Sequence, residues 1–119
     1  MNILLIVNAS PWGSTLANTA LRFARAALAA GTPVPAVYFQ GDGVYNALPG
    51  RVTDAGATDL ADGWAALAED HDVDLLLCSS AAARRWSAKM AELVPAEFRE
   101  AGLAELVGRL EDCPRVVSF

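Results

Sequence analysis

Short aliphatic runs alternate with longer amphipathic stretches along this chain. Residues 2–8 and 73–78 are almost continuously apolar, as strands buried on both faces of a sheet are. Residues 33–39 and 115–119 predict two further strands. Strands that alternate with helices indicate a parallel sheet covered on both sides. The pattern therefore predicts the α/β class: a single domain over residues 1–119, built as a three-layer α/β/α sandwich with a mainly parallel sheet of about five strands.

The helices are predicted from apolar spacing and from capping residues. Ser14 or Thr15 begins a helix that runs to about residue 30, and Gly31 is placed to end it. Thr58 is the predicted cap of a second helix. A short helix is expected over residues 82–93 and a longer one over 98–110, with an inner face formed by Leu103, Leu106, Val107 and Leu110.

Composition narrows the class of protein and its partners. The 119 residues are 54% hydrophobic and 19% charged, which argues against disorder. The net charge is −5 and Lys89 is the only lysine, so no basic stripe is present and we expect no direct binding of nucleic acid. The apolar run 3–7 is too short to span a membrane and lacks the basic flank of a signal peptide. We therefore expect a cytoplasmic protein.

The candidate reactive group is the thiol of Cys78. It ends a predicted strand, and open α/β sheets place their sites at the carboxyl ends of strands. Small residues follow at 79–83, and then the cations Arg84 and Arg85, whose charge would favour the reactive thiolate. A helix that begins after Cys78 would add positive potential. The structural alternative is a buried cysteine that acts only as a small hydrophobic residue.

Other residues give weaker signals. Tyr45 and Asn46 follow the second strand and should lie at the same sheet edge as Cys78, in a pocket or a subunit contact. Trp86 neighbours the arginine pair and suits a partner surface.

Cys113 precedes its strand, so about five residues at ~3.3 Å each separate it from Cys78 by more than ~15 Å. A disulfide needs Cα atoms within ~7 Å, so the two should not bond.

The sequence gives little support for a metal site, a phosphate-binding loop or a phosphatase site. The two cysteines match no zinc spacing and His71 is the single histidine, so we expect no metal. Thiol exchange at Cys78 would require no organic cofactor, so we expect none. The hydroxyl-rich loop 8–15 resembles a flavin or nucleotide loop, or is an ordinary helix cap. The spacing from Cys78 to Arg84 fits a cysteine phosphatase loop but lacks the glycines that such a loop uses.

Four stretches together resemble the DsrE/TusD family of sulfur-relay subunits. They are the amino-terminal strand, loop and helix, residues 37–47, residues 77–85, and residues 102–103 with the ending 113–119. In order and spacing they span nearly the whole chain. Trp86 is a departure, because the resemblance leads us to expect a small residue there.

The resemblance places the family's active cysteine on Cys78 and implies a sulfurtransferase that carries a persulfide. It implies a complex with TusC/DsrF-like and TusB/DsrH-like subunits, a TusA-like sulfur donor and a TusE/DsrC-like acceptor. The end use would be tRNA 2-thiouridine synthesis or dissimilatory sulfur oxidation. Arg84 and Arg85 would stabilise the anion. The alternatives are a non-catalytic assembly subunit of such a complex, or a small flavin- or nucleotide-binding α/β protein.

Overall fold

A five-stranded parallel sheet forms the centre of the molecule. The computed structural model describes residues 1–50 and 59–119. Strands β1 (Ile3–Val7), β2 (Ala36–Phe39), β3 (Asp74–Cys78), β4 (Phe98–Ala101) and β5 (Arg115–Ser118) lie in the order β4-β3-β2-β1-β5. Every adjacent pair is parallel. The predicted α/β class and parallel sheet are confirmed.

Helical segments connect these strands. They are α1 (Leu16–Ala29), a 3₁₀ segment (Gly41–Ala47), α2 (Leu60–His71), α3 (Ser79–Arg85), α4 (Ala88–Glu92) and α5 (Leu103–Leu110). Within the described residues, none of the helices combines the length and the apolar character that crossing a bilayer requires.

The two faces of the sheet are both buried, because side chains alternate between them along each strand. On the first face, Leu5, Val37 and Leu75 pack with residues of α1 and α2, including the fully buried Trp64. The second face contains Leu4, Ala36, Tyr38, Leu76, Ala101 and Cys113, with Leu106 of α5 packed against them. Each fully buried aliphatic side chain contributes about 1.5–3 kcal/mol relative to exposure. The near-continuous apolar strands of the sequence follow from this double burial.

The ends of α1 and α2 follow from local chemistry. After α1, Gly31 adopts a positive φ of 84°, the left-handed conformation that ends helices and suits glycine. The prediction for Gly31 is confirmed. The N-cap residue of α2 is Asp59, whose side chain accepts a hydrogen bond from the Ala61 backbone N–H at 3.0 Å. The predicted cap, Thr58, lies outside the described residues.

The prediction of one helix over residues 82–93 is wrong. The structure has two helices there, α3 and α4, because Trp86 adopts an extended conformation between them. Ser87 then begins α4, and its hydroxyl accepts a hydrogen bond from the Met90 backbone N–H at 3.2 Å. Helix α3 also starts earlier than predicted, at Ser79, immediately after Cys78.

The prediction of one helix over residues 98–110 is also wrong. Residues Phe98–Ala101 pair with β3 as the edge strand β4, and only α5 is helical. Of the predicted inner face of α5, only Leu106 packs against the sheet. The prediction is wrong for Leu103, Val107 and Leu110, which are 64%, 61% and 42% exposed.

Ion pairs join α5 to the sheet. Arg109 of α5 pairs with Asp74 of β3, and Glu105 of α5 pairs with Arg99 of β4. These contacts turn the charged side of α5 toward the sheet. The exposed apolar residues Leu103, Val107 and Leu110 form what we call the α5 apolar stripe.

Candidate active site around Cys78

Cys78 lies where a central strand becomes a helix. It is the last residue of β3, which sits between β2 and β4, and it is the N-cap residue of α3. Its side chain is half-buried and packs against the second face of the sheet. The predicted position at the carboxyl edge of the sheet is therefore where the structure places this thiol.

Hydrogen bonds favour the charged form of this thiol. Burial raises the pKa of Cys78, but the Ser80 hydroxyl, the backbone N–H groups of Ala81 and Ser80, and the Tyr38 hydroxyl together lower it below its ordinary value. Cys78 Sγ and Ser80 Oγ lie 3.4 Å apart. A thiolate accepts hydrogen bonds, so donors that face it stabilise the ionised state. The arrangement therefore supports a thiolate, which is the nucleophilic form of cysteine.

The sequence analysis missed Ser80 and Tyr38 as partners of the thiol. Ser80 was counted only among the small residues after Cys78. Tyr38 comes from β2, and no local spacing connects it with Cys78. One signal could have pointed to Tyr38. Its hydroxyl lies in a four-residue strand that is buried throughout, and buried tyrosine hydroxyls usually need a hydrogen-bond partner.

Arg84 and Arg85 lie in the last turn of α3. Arg84 is exposed. Arg85 donates from Nε to Asp42 Oδ1 at 2.9 Å and from a terminal nitrogen to the Ala81 carbonyl at 3.3 Å. Asp42 therefore offsets the charge of Arg85. The role predicted for the two guanidiniums beside the thiol stays a prediction. Residues 79–85 form a helix, so they do not curl into a phosphatase-type loop.

The 3₁₀ segment lies beside α3 at the same edge of the sheet. A Cβ atom on Gly43 would come within 2.0 Å of the Val7 carbonyl oxygen, so only glycine permits this approach to β1. Asn46 is 1% exposed, and its Nδ2 donates to the carbonyls of Ala9 at 2.9 Å and Gly43 at 2.8 Å. Asn46 thus fixes the segment from inside instead of lining an open surface.

Tyr45 contributes an aromatic surface near this edge. Its ring packs against that of Trp12, with centroids 5.2 Å apart and planes tilted by 55°. Trp12 is 44% exposed. The two rings bring the loop after β1 and the 3₁₀ segment together. The predicted role of Tyr45 in a pocket or a subunit contact stays a prediction.

Trp86 lies beside a surface cleft at the end of α3. The ring packs partly against the first face of the sheet. The cleft has a volume of about 210 Å³ and is lined by Leu77, Trp86, Ala91, Val94, Pro95, Ala96, Phe98, Arg99 and Glu100. Leu77 directly precedes Cys78, so the cleft neighbours the strand that carries the thiol. A role for Trp86 in partner contact stays a prediction.

Cys113 differs from Cys78 in its surroundings. Both cysteines are free. Cys113 is 2% exposed, and burial together with the neighbouring Asp112 raises the pKa of its thiol. It precedes β5 whereas Cys78 ends β3, and the parallel register places these positions at opposite ends of the sheet. Residues 1–50 and 59–119 contain no group of three or more His, Cys, Asp or Glu side chains placed to hold a metal ion.

The hydroxyl groups of the loop after β1 make local contacts. Ser10 Oγ donates to the Trp12 carbonyl at 2.9 Å, and Ser14 Oγ accepts from the Leu16 backbone N–H at 3.4 Å. These are the bonds of a turn and of a helix start. The N-cap residue of α1 is Thr15, one of the two predicted caps, but its side chain makes no cap hydrogen bond.

Comparison with known proteins gives a consistent picture. The model of the DsrE/DsrF-like family matches residues 1–119. The chain is 34% identical over 128 residues to "Sulfurtransferase TusD" of Enterobacter sp. (strain 638), and the match covers 100% of both proteins. It is 32% identical over 130 residues to "Putative sulfurtransferase DsrE" of Allochromatium vinosum, covering 100% of this chain and 98% of the relative.

A solved structure shares the fold. The ychN protein from E. coli superposes with a TM-score of 0.83, covering 99% of this chain and 98% of that chain at 20% sequence identity. At that identity the likeness concerns the fold alone.

Proposed function

The chain belongs to the DsrE/DsrF-like family, and from this premise we propose that it is a sulfurtransferase subunit of a sulfur relay that carries sulfur as a persulfide on Cys78. The observation that carries the proposal is the half-buried Cys78 thiol with its lowered pKa at the carboxyl end of a central strand. The relatives that match the chain over its full length are named sulfurtransferases.

Sulfur uptake is a thiol exchange. The Cys78 thiolate attacks the outer sulfur of a donor persulfide, R–S–SH, and the donor's sulfur–sulfur bond breaks. The donor leaves as R–S⁻ with the electron pair, and Cys78–S–SH is formed. Release follows the same chemistry: an acceptor thiolate attacks the outer sulfur and Cys78 Sγ departs as a thiolate. Neither step needs an external oxidant or reductant, nor a metal.

The surroundings of Cys78 suit both steps. Donors on Ser80, the α3 backbone and Tyr38 increase the thiolate fraction at neutral pH and make Sγ a better leaving group. Arg84 is exposed at the end of α3, and we assign to it an attraction for anionic groups of the donor or acceptor. Arg85 holds the 3₁₀ segment through Asp42 instead.

Sulfur loading of matched variants tests the proposal. The protein is incubated with a cysteine desulfurase and a TusA-like carrier, and its intact mass is measured. We expect wild type and Cys113→Ser to gain the mass of one sulfur atom and Cys78→Ser to gain none. Loading of Cys78→Ser at the wild-type level would refute the assignment of Cys78, and equal loss in Cys113→Ser would refute the assignment of separate roles.

The proposed partners follow from family membership. They are TusC/DsrF-like and TusB/DsrH-like subunits, a TusA-like donor and a TusE/DsrC-like acceptor, in the service of tRNA 2-thiouridine synthesis or sulfur oxidation. The α5 apolar stripe supports contact with other subunits, because exposed apolar residues on one helix face are typical of interfaces. We place the relay in the cytoplasm, where thiols stay reduced, and both cysteines are free.

A non-catalytic assembly subunit is the second candidate. The observation in its favour is the same α5 apolar stripe, together with the partial burial of Cys78. Alkylation of the native protein separates the two functions. A carrier requires Cys78 to react with iodoacetamide under native conditions, whereas an inert structural thiol reacts only after unfolding.

A further inference from the structure

Tyr38 brings a polar hydroxyl group into an otherwise apolar part of the core. Every residue of β2 is buried, and Tyr38 is 0% exposed. Its register partners are the aliphatic Ile6 and Leu76, and it belongs to one buried cluster with Leu4, Leu76 and Ala101. Phenylalanine would fill this space, and burying a hydroxyl costs free energy unless it is hydrogen-bonded. The Tyr38 hydroxyl therefore needs a hydrogen-bond partner that offsets the cost of burying it.

The sheet register brings this hydroxyl to the reactive cysteine. Tyr38 lies opposite Leu76 across β2 and β3, and Cys78 lies opposite Ala101 across β3 and β4. Because alternate residues of a strand share a face, Leu76 and Cys78 point to the same side as Tyr38. The Tyr38 hydroxyl is 3.4 Å from the carbonyl of Ala101, a long distance for this kind of bond. Ala101 is the register partner of Cys78, and Cys78 packs against the same buried cluster as Tyr38.

We infer that the buried Tyr38 hydroxyl donates a hydrogen bond to Cys78 Sγ and stabilises that sulfur as a thiolate, first when it attacks the donor and again when the acceptor releases it. The statement about sulfur transfer rests on the proposed function, whereas the hydrogen bond does not. A donor to the departing sulfur matters most at release, because the lower the pKa of a leaving thiol, the faster it leaves.

The proton stays on Tyr38 throughout. Burial, and then the hydrogen bond and charge of Cys78, raise the pKa of Tyr38 far above the neutral range. Tyr38 is therefore a donor at every pH at which the protein works. It does not act as a base that removes the Cys78 proton.

Other ionisable groups near the thiol are engaged elsewhere or stay neutral. On the 3₁₀ segment and α3, Asp42 pairs with Arg85, and on β4 Arg99 pairs with Glu105. Burial keeps Cys113 of the second face in its thiol form by raising its pKa. Arg84 on α3 and Glu100 on β4 are exposed to solvent, which screens their charge. The hydrogen-bond donors thus remain the principal influence on Cys78.

The test measures the rate of Cys78 alkylation as a function of pH. The parent protein carries Cys113→Ser, so that Cys78 is its single thiol. We expect Tyr38→Phe to slow alkylation by iodoacetamide about fivefold at neutral pH and to move the midpoint of the profile to higher pH. Above the midpoint the variant should react as fast as the parent or faster, because a thiolate of higher pKa is more nucleophilic. Superimposable profiles would overturn the inference.

A packing control separates the hydroxyl from general stability. Leu4→Val removes one methylene group from the same buried face and leaves Tyr38 intact, so it should lower stability without moving the pH midpoint. A midpoint shift of equal size in Leu4→Val would mean that Tyr38→Phe acts only through packing. As a second measurement, the ring signal of isotope-labelled Tyr38 in the parent protein should shift through the same pH range as Cys78 ionisation. A constant signal would contradict the hydrogen bond.

Sulfur transfer gives the final readout. With the loaded proteins, Tyr38→Phe should slow release to an acceptor thiol about twofold at a pH where the acceptor thiol is ionised, because Sγ then departs as a thiolate of higher pKa. Unchanged release together with a shifted alkylation profile would contradict the role in release. If the parent protein takes up no sulfur, the proposed function fails, while the alkylation profile still decides whether Tyr38 stabilises the thiolate.

Discussion

The reactivity of Cys78 depends on its immediate neighbours. A half-buried thiol pays a desolvation cost on ionising, which alone would raise its pKa. Donors from Ser80, the α3 backbone and Tyr38 more than offset this cost. Cys113 has burial and a neighbouring carboxylate instead, and the pKa of its thiol is raised. We therefore expect Cys78 to be the more reactive of the two thiols.

Replacing Ser80 should make Cys78 less reactive at neutral pH. The Ser80 hydroxyl lies 3.4 Å from Sγ and lowers the pKa of the thiol, so Ser80→Ala should raise that pKa toward its ordinary value. Losing a hydrogen bond worth about 1 kcal/mol corresponds to roughly fivefold slower alkylation at neutral pH. The difference should vanish at high pH, where both proteins are fully ionised.

Ser79→Ala is the matched control for this change. Ser79 is the first residue of α3 and is adjacent to Cys78 in sequence, yet it is not one of the groups that shift the pKa of the thiol. Its pH profile should follow wild type. Equal slowing in both variants would show that α3 responds to any substitution at its start.

At this scale the sequence predicted the position of Cys78 at the end of a strand but not the groups that surround it. Cys78 stands out because it ends an aliphatic run, and strand ends are readable from hydrophobic periodicity. Tyr38 lies 40 positions earlier in the chain, and only the parallel pairing of β2 and β3 brings it near. Arg84 and Arg85 were predicted as partners because charged residues can be read directly from a sequence. A hydrogen bond between side chains of different strands cannot.

The elements at the carboxyl edge hold the site in place. The 3₁₀ segment lies against β1 through Gly43 and against α3 through the Asp42–Arg85 ion pair. Surface ion pairs contribute about 0–1 kcal/mol, so the close approach of Gly43 is the stronger constraint. The position of α3, and with it the N–H groups that face Cys78, therefore depends on packing more than on charge.

Substitution of Gly43 should destabilise the fold. The new Cβ of Gly43→Ala would lie 2.0 Å from the Val7 oxygen and 2.8 Å from its carbonyl carbon, and backbone atoms yield less than side chains do. We expect the free energy of unfolding to fall by about 2–3 kcal/mol in urea titrations.

Gly108→Ala supplies the contrast. A Cβ at Gly108 meets nothing within 4 Å, and the residue lies inside α5, so alanine should raise the free energy of unfolding by about 0.5–1 kcal/mol. Equal effects of the two substitutions would contradict the packing described for the 3₁₀ segment.

Prediction of elements failed where tertiary pairing overrode local preference. Residues Phe98–Ala101 look helical together with the segment that follows, but hydrogen bonding to β3 makes them a strand. The apolar positions of α5 carry a clear helical period, from which an inner face was inferred. Periodicity gives the spacing of a face and not its direction, and in the structure Glu105 and Arg109 of α5 face the sheet while most of its apolar residues do not. The ends of α1, by contrast, needed only local signals.

The whole molecule has an apolar surface that its own fold does not cover. Leu103, Val107 and Leu110 are exposed on α5, and Val116 of the edge strand β5 is 42% exposed. A relay subunit that works in a complex requires such a surface, and we assign the α5 apolar stripe to contact with another subunit of the same family. The extent of the domain, residues 1–119, stays a prediction.

A charge on the stripe should disrupt assembly without harming the fold. Val107 and Leu93 are both 61% exposed, so Val107→Glu and Leu93→Glu bury equally little charge in the isolated subunit. In sedimentation experiments with the proposed TusC/DsrF-like and TusB/DsrH-like subunits, we expect the complex to be lost with Val107→Glu and retained with Leu93→Glu. Retention in both variants would exclude the α5 apolar stripe as the contact.

The most direct test of the account is to locate the transferred sulfur in the wild-type protein. After loading from a persulfide donor, the protein is trapped with an alkylating reagent and digested with trypsin, which separates the two cysteines because Arg84, Arg85 and Arg109 lie between them. We predict that the peptide with Cys78 carries the additional sulfur and that the peptide with Cys113 carries none. Additional sulfur on Cys113, or on neither peptide in a protein that receives sulfur from its donor, would contradict the claim that Cys78 is the carrier.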